Sequence, residues 1–142
     1  MCMLDKLKEL AKNDLKLDRT ELVDESLKTP ILHAKWLSLY VDLKEKARKL
    51  QYEYDIKYKE RWLYYNGKAA PKVYKEEPFD LKILKSDSGV FLGSDEKLLE
   101  IKNKLEEVKN LILFTESVIG EINKRSFHIK NAIDVLRWEN GG

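Results

Sequence analysis

The chain has 142 residues, of which 37% are charged and 43% are hydrophobic, and its formal net charge is +2. This length suits one domain, or two small helical units that share a core. The longest purely apolar run, LILF at 111–114, is far shorter than the roughly 20 residues of a membrane span, which excludes that class. The start lacks the apolar segment of a signal peptide and Cys2 is the only cysteine, so a reducing, intracellular compartment is predicted.

The first half of the chain is predicted to be helical. Leucines near the N-terminus share one helical face, and Asp18 can cap a second short helix. Thr29 and Pro30 favour a new start, because proline costs little at the first position of a helix. Beyond them, apolar residues recur at steps of three and four: Trp36, Tyr40, Leu43, Ala47, Leu50 and Tyr54. This pattern predicts a long amphipathic helix over about 30–66.

The segment 67–94 has a different composition. It contains two of the three prolines, and the run SDSG at 86–89 separates two short apolar stretches. We interpret it as a linker in which LKIL (81–84) could pair with VFL (90–92) as a short hairpin.

The last segment has the most regular pattern. Twelve positions at strict spacings of three and four include ten apolar residues, which indicates a coiled-coil-like helix over about 95–138. We expect this seam to pack between subunits of a homo-oligomer. The residues that would form the contact are Leu105, Val108, Ile112, Ile119, Ile122, Ile129 and Ile133.

Few residues suggest catalysis or metal binding. His33 and His128 lie far apart in the sequence, and no zinc, phosphate-loop or dinucleotide motif occurs. Carboxylates alternate with lysines, as on a solvated helix face. No enzyme activity, metal or cofactor is therefore predicted.

Positive charge and aromatic rings are concentrated in one region. Residues 44–75 contain ten Lys or Arg against four Asp or Glu, a local excess of +6, and six of the seven tyrosines. Such a composition is typical of surfaces that bind single-stranded nucleic acid, where cations contact phosphates and rings stack on bases. The alternative is a structural coiled-coil scaffold without nucleic-acid binding, in which the rings are core residues.

Within this region, the stretch KYKERWLYYNGK (57–68) is predicted to divide its residues by helical face. Tyr58, Trp62 and Tyr65 continue the apolar stripe and are expected to be packed. The neighbouring face would expose Tyr64 among basic groups. The predicted DNA-binding residues are Lys57, Lys59, Arg61, Tyr64, Lys68 and Lys72.

Four segments in order resemble the UvsY family, the recombination mediator proteins of tailed bacteriophages. They are LDKLKELAKNDLKLDRTEL (4–22), AKWL (34–37), KERWLYYNGK (59–68) and KRSFHIKNAIDVLRWENG (124–141). The resemblance covers most of the chain, but the segment 67–94 matches poorly.

The resemblance implies a non-enzymatic, all-α protein that binds single-stranded DNA and forms a hexameric or heptameric ring. It also implies that the protein helps a RecA-like recombinase to displace single-strand-binding protein, in the cytoplasm of an infected bacterium. Lys59 and Arg61 match the basic residues that contribute to DNA binding in the family, although Glu60 between them lowers the local charge. The predicted domains are a DNA-binding region (1–66), a linker (67–94) and an oligomerisation region (95–142).

Overall fold

The computed structural model describes residues 2–141, and all regular structure in this range is helical. A single 3-10 turn, Lys85–Asp87, precedes the fourth of six α-helices. The helices are α1 (Met3–Leu15), α2 (Leu22–Tyr65), α3 (Pro71–Glu76), α4 (Ser88–Gly93), α5 (Glu96–Asn123) and α6 (Arg125–Glu139). The predicted all-α fold class is confirmed.

The long helix α2 begins earlier than predicted. It starts at Leu22 and continues through Pro30, so the predicted new start at Thr29 is wrong. A proline inside a helix removes one backbone hydrogen bond and costs ~3 kcal/mol or more. Side chains on both sides of Pro30 are buried, among them Leu22 and Trp36, and their packing offsets this cost.

The hairpin predicted in the segment 67–94 is also wrong. The N–H of Asp87 donates to the carbonyl of Leu84 (2.9 Å), and this turn leads directly into α4. As a helix, the segment buries Leu92, whereas Leu84 stays exposed. A two-stranded hairpin is only marginally stable without a packed face, and these short apolar stretches supply few residues for one.

The predicted C-terminal helix is divided into two. α5 ends at Asn123 and α6 begins at Arg125, with Lys124 between them. Arg125 is almost completely buried, and its guanidinium donates to the carbonyl of Glu25 (2.7 Å) and to the hydroxyl of Thr29 (3.1 Å). A charged residue with partners on α2 therefore stands where the apolar periodicity alone predicts an uninterrupted helix.

The predicted oligomerisation seam is largely covered within the chain itself. Five of its seven residues are buried in the single chain: Leu105, Val108, Ile112, Ile122 and Ile129. Ile119 is half-buried, and Ile133 is exposed. The five buried side chains are not available as a surface for a second subunit, because residues of the same chain already cover them.

The described chain forms two compact units. The terminal unit comprises the residues up to Lys44 and those from Lys109 onward, and its core includes the completely buried Trp36. The Trp36 indole donates to the carboxylate of Asp14 on α1 (2.9 Å), while the Tyr40 hydroxyl donates to Glu116 on α5 (3.0 Å).

The central unit comprises Glu45–Val108 and holds most of the basic and aromatic stretch. Its core combines aliphatic residues of α5, such as Leu98 and Ile101, with a cluster of rings. Phe79 contacts both Tyr65 and Phe91, with ring centroids 5.2 and 5.7 Å apart. These rings join the end of α2 to the following segment, which sequence alone suggested was a linker.

Candidate nucleic-acid interface

Arg61 lies at the centre of a partly buried ion-pair network in the central unit. Its Nε donates to Asp95 (2.7 Å), and its two terminal nitrogens donate to the two oxygens of Glu77 (3.1 and 3.0 Å). Asp95 also accepts from the Tyr65 hydroxyl (2.6 Å) and from the N–H of Leu98 (3.0 Å) in the first turn of α5. One guanidinium thus joins the end of α2 to the start of α5 and to the residue after α3.

The charges of this network stabilise one another. Burial alone would raise the pKa of Asp95, but hydrogen bonds from Tyr65, the Leu98 N–H and Arg61 outweigh it and lower that pKa below its ordinary value. Burial likewise opposes the charge of Arg61, yet its bonds to Glu77 and its other partners raise the Arg61 pKa. The hydrogen bond from Arg61 lowers the pKa of Glu77. All three groups are therefore ionised at neutral pH.

Arg61 and Tyr64 are not where the face assignment predicted. Both were expected at the surface, but they are only 5% and 3% exposed. The Tyr64 ring lies 4.2 Å from the Arg61 guanidinium and stacks on Tyr74 at 5.4 Å, and its hydroxyl donates to the carbonyl of Glu77 (2.9 Å). Neither the Arg61 donors nor the faces of the Tyr64 ring are open to a ligand in this structure.

The rings expected in the core are more exposed. Tyr58 is 41% exposed, which contradicts the prediction, while Trp62 and Tyr65 are half-buried. The Lys68 ammonium lies 5.1 Å from the centre of the Trp62 ring. The faces predicted for this stretch were therefore shifted by about one residue.

The spacing of α2 contains the signal for the correct face. The inward residues of α2 follow steps of three and four from Trp36 through Tyr40, Leu43, Ala47, Leu50 and Tyr54, and the same steps continue to Lys57, Arg61 and Tyr64. Choosing the most apolar residues near the end of the helix, rather than continuing the period, gave the wrong face. The partners of Arg61 could not be found this way, because Glu77 and Asp95 lie beyond irregular chain.

A cavity of about 570 Å³ opens beside this network. Four of the six predicted DNA-binding residues line it: Lys57, Arg61, Tyr64 and Lys68. The other two, Lys59 and Lys72, are exposed on the surface and do not contribute to its lining. Lys97, which sequence reasoning did not select, adds a third ammonium group from the first turn of α5.

The described residues, 2–141, contain no group of three or more His, Cys, Asp or Glu side chains placed to hold a metal ion. No helix within that range is both long and apolar enough to cross a membrane.

Comparison with known proteins gives one consistent result. Residues 10–142 match the family model described as "Recombination, repair and ssDNA binding protein UvsY". The recombination protein UvsY of Enterobacteria phage T4 is 25% identical over 138 residues, which are 97% of this chain and 98% of that protein.

Crystal structures of the bacteriophage T4 recombination mediator protein UvsY have the same fold. One, in lattice type II, superposes with a TM-score of 0.85 at 25% identity and covers 100% of both chains. Another, in lattice type I, gives a TM-score of 0.84 at 25% identity and covers 94% of this chain and 98% of that one. On the strength of the family match over nearly its whole length, the chain belongs to the UvsY family of recombination, repair and single-stranded-DNA-binding proteins.

Proposed function

We propose that this chain is a recombination mediator that binds single-stranded DNA and loads a RecA-like recombinase onto strands covered by single-strand-binding protein. It acts without catalysis or a cofactor, in the cytoplasm of the infected bacterial host. Family membership supports the DNA-binding part. The similar T4 protein is named a recombination mediator, which supports the loading part.

The observation that supports DNA binding is a group of lysines close in sequence to the buried Arg61. This lysine strip consists of Lys57, Lys59, Lys68 and Lys72, and all four ammonium groups belong to the central unit. Lysines bind phosphates as mobile point charges, which suits a flexible single strand without a fixed sequence.

Arg61 and Tyr64 contribute to this surface as positioning residues. The Arg61 guanidinium donates hydrogen bonds to Glu77 and Asp95. The lysines that flank it on α2 are therefore the groups left to contact phosphates. Loss of Arg61 would weaken DNA binding indirectly, by releasing the end of α2.

The test is a salt titration of binding to a labelled oligonucleotide. Changing both Lys59 and Lys68 to Ala removes two phosphate contacts, so the slope of log K against log salt should fall by about 1.4. Changing Lys6 and Lys16 to Ala is the matched control, because it removes the same charge from exposed sites in the terminal unit. Equal slopes for the two variants would exclude the lysine strip as the surface that contacts phosphates.

Loading is tested on DNA that already carries single-strand-binding protein. We expect added mediator to restore DNA-dependent ATP hydrolysis by the recombinase, and the Lys59 and Lys68 double variant to restore little of it. The scaffold alternative predicts that the wild-type protein neither binds the oligonucleotide nor restores hydrolysis.

We also propose that the protein assembles as a hexameric or heptameric ring of identical subunits. Support comes from large apolar side chains of the terminal unit that the chain leaves exposed. Val23, Leu27 and Ile31 lie at successive steps of four on α2, and Trp138 on α6 is 83% exposed. Regular apolar stripes of this kind mark protein contacts rather than ordinary surface. We propose that a second copy of this chain covers these side chains, because a ring of identical subunits multiplies weak DNA-binding sites.

A further inference from the structure

The cavity beside Arg61 brings together lysines from three separate parts of the central unit. Lys57 lies on α2, Lys68 follows the end of that helix, and Lys97 lies in the first turn of α5. Lys57 contacts Glu60 (2.8 Å), and Lys97 contacts Glu77 (3.3 Å). More than half of the Lys97 side chain is exposed, so its ammonium can reach a ligand at the cavity mouth.

The rest of the lining is suited to a planar, partly apolar group. Leu63, Ala70 and Val73 supply aliphatic wall, and the volume of about 570 Å³ lies within the range of small-molecule sites, roughly 300–1,000 Å³. The carboxylates of Glu60 and Glu76 can accept hydrogen bonds from amino groups, as carboxylates do from cytosine. A nucleobase has this combination of apolar face and polar edge.

The contact of Lys97 with Glu77 is longer than the contacts of Arg61 with the same carboxylate. Both Glu77 oxygens already accept from Arg61, at 3.0 and 3.1 Å, and the Lys97 contact to one of them is longer, at 3.3 Å. Lys97 can therefore turn to a phosphate while the Glu77 carboxylate stays paired. Binding an anion would therefore cost Lys97 its one contact with Glu77 (3.3 Å) and would leave the bonds between Arg61 and Glu77 in place.

We propose that this cavity takes one nucleotide unit of single-stranded DNA, with the base against the aliphatic wall and a neighbouring phosphate on Lys57, Lys68 and Lys97. The proposal rests on the proposed function and extends it to a defined pocket and to a residue outside the α2 segment. It differs from stacking on an exposed ring, since the Tyr64 ring beside the cavity is already covered by Arg61 and Tyr74.

The phosphate contact is tested with Lys97→Ala against Lys102→Ala. Lys102 is exposed on the same helix and does not line the cavity, so both variants lose one charge from α5. For a labelled oligonucleotide, Lys97→Ala should lower the slope of log K against log salt by about 0.7 relative to Lys102→Ala. Identical slopes would overturn the role of Lys97.

The base site is tested by filling the cavity. Ala70→Trp places a large ring at the wall without changing any charge, and Ala70→Ser leaves the space open. We expect Ala70→Trp to lower affinity on the order of tenfold at an unchanged salt slope, since one base contact is lost. An oligonucleotide of abasic sites should bind the wild-type protein and Ala70→Trp equally weakly. Equal affinity of Ala70→Trp and Ala70→Ser for normal DNA would overturn the base site.

The two proposals fail in different ways. If the wild-type protein shows no salt-dependent binding to single-stranded DNA, the proposed function itself fails. If the wild-type protein binds, but Lys97→Ala matches Lys102→Ala and Ala70→Trp matches Ala70→Ser, only the nucleotide pocket fails.

Discussion

At the scale of single residues, Arg61 shows how a basic side chain can belong to a binding segment without being a contact. Its planar guanidinium donates three hydrogen bonds to two carboxylates, of which Asp95 is buried with it and Glu77 is partly exposed. Buried pairs of this kind fix a conformation rather than add much net stability, but removal of one partner leaves the other charges unpaired. The neighbouring Lys59 is exposed, so its removal leaves no buried charge unpaired.

Arg61→Ala should therefore act mainly on stability. We expect the free energy of unfolding to fall by about 3–5 kcal/mol, because Asp95 is left buried without its cation. Urea unfolding followed by circular dichroism measures it. Lys59→Ala is the control, with an expected change within about 0.5 kcal/mol. A variant Arg61→Ala as stable as Lys59→Ala would show that the ion-pair network is not formed in solution.

At the scale of elements, the helices show what an apolar period can predict. The spacing predicted long helices, which are present as α2 and α5, and it predicted the inward face of α2 only as far as Tyr54. It did not predict which surface covers each face, since a heptad stripe is the same whether its partner is another helix of the chain or a second subunit. Nor did it predict the break at Lys124, which depends on contacts of Arg125 with residues far away in the sequence.

Pro30 is the clearest case in which packing overrides a local signal. Pro30→Ala restores the missing N–H within α2, so we expect the free energy of unfolding to rise by about 2 kcal/mol. Part of the full helix-propensity gain is lost because the unfolded chain becomes more flexible. Thermal and urea unfolding measure the change. An unchanged or lower stability would mean that the proline ring itself makes contacts that the helix needs.

The start of α5 should be sensitive to acid. Because the pKa of Asp95 is lowered in the folded protein, its carboxylate contributes stability above the ordinary pKa of about 4, and this contribution is lost as the pH falls through the lower folded value. Asp95→Asn removes the carboxyl group that titrates. The gap in unfolding free energy between wild type and Asp95→Asn should thus narrow from pH 7 to pH 3.

The control for this pH series is Asp80→Asn, a change at an exposed carboxylate of the same unit. This change removes a carboxylate from the surface and leaves the contacts of Asp95 with Arg61 in place. A constant gap for Asp95→Asn would contradict the role of Asp95 as a buried anion bound to Arg61.

At the scale of the whole molecule, the chain uses its most regular apolar seam for its own core and leaves another apolar face open. The exposed residues of that face are Val23, Leu27 and Ile31. The apolar period pointed instead to the seam on α5 and α6, because exposure depends on which helices meet in three dimensions. If the proposed ring forms there, each added subunit brings another lysine strip to the same strand. Affinity then grows through effective concentration rather than through stronger single contacts.

Leu27→Glu should disperse the assembly and leave the subunit folded. The side chain is exposed in the single chain, so a charge there costs little unless a second copy covers it. Light scattering should show a fall to small species, with an unchanged helical spectrum. Ile122→Glu is the contrasting variant, since Ile122 is buried within the chain and its change should unfold the subunit. If the Leu27→Glu variant still forms an assembly of full size, this face is excluded as the contact between subunits.

The three tryptophans occupy three different environments, and this makes the protein its own optical probe. Trp36 is completely buried, Trp62 is half-buried beside Lys68, and Trp138 is 83% exposed. Indole emission moves to shorter wavelength as water is removed, so the three residues should report unfolding, DNA binding and assembly in turn. Versions of the chain that keep one tryptophan and carry Phe at the other two positions would separate these signals. Stopped-flow fluorescence could then establish whether subunits assemble before the strand arrives or around it.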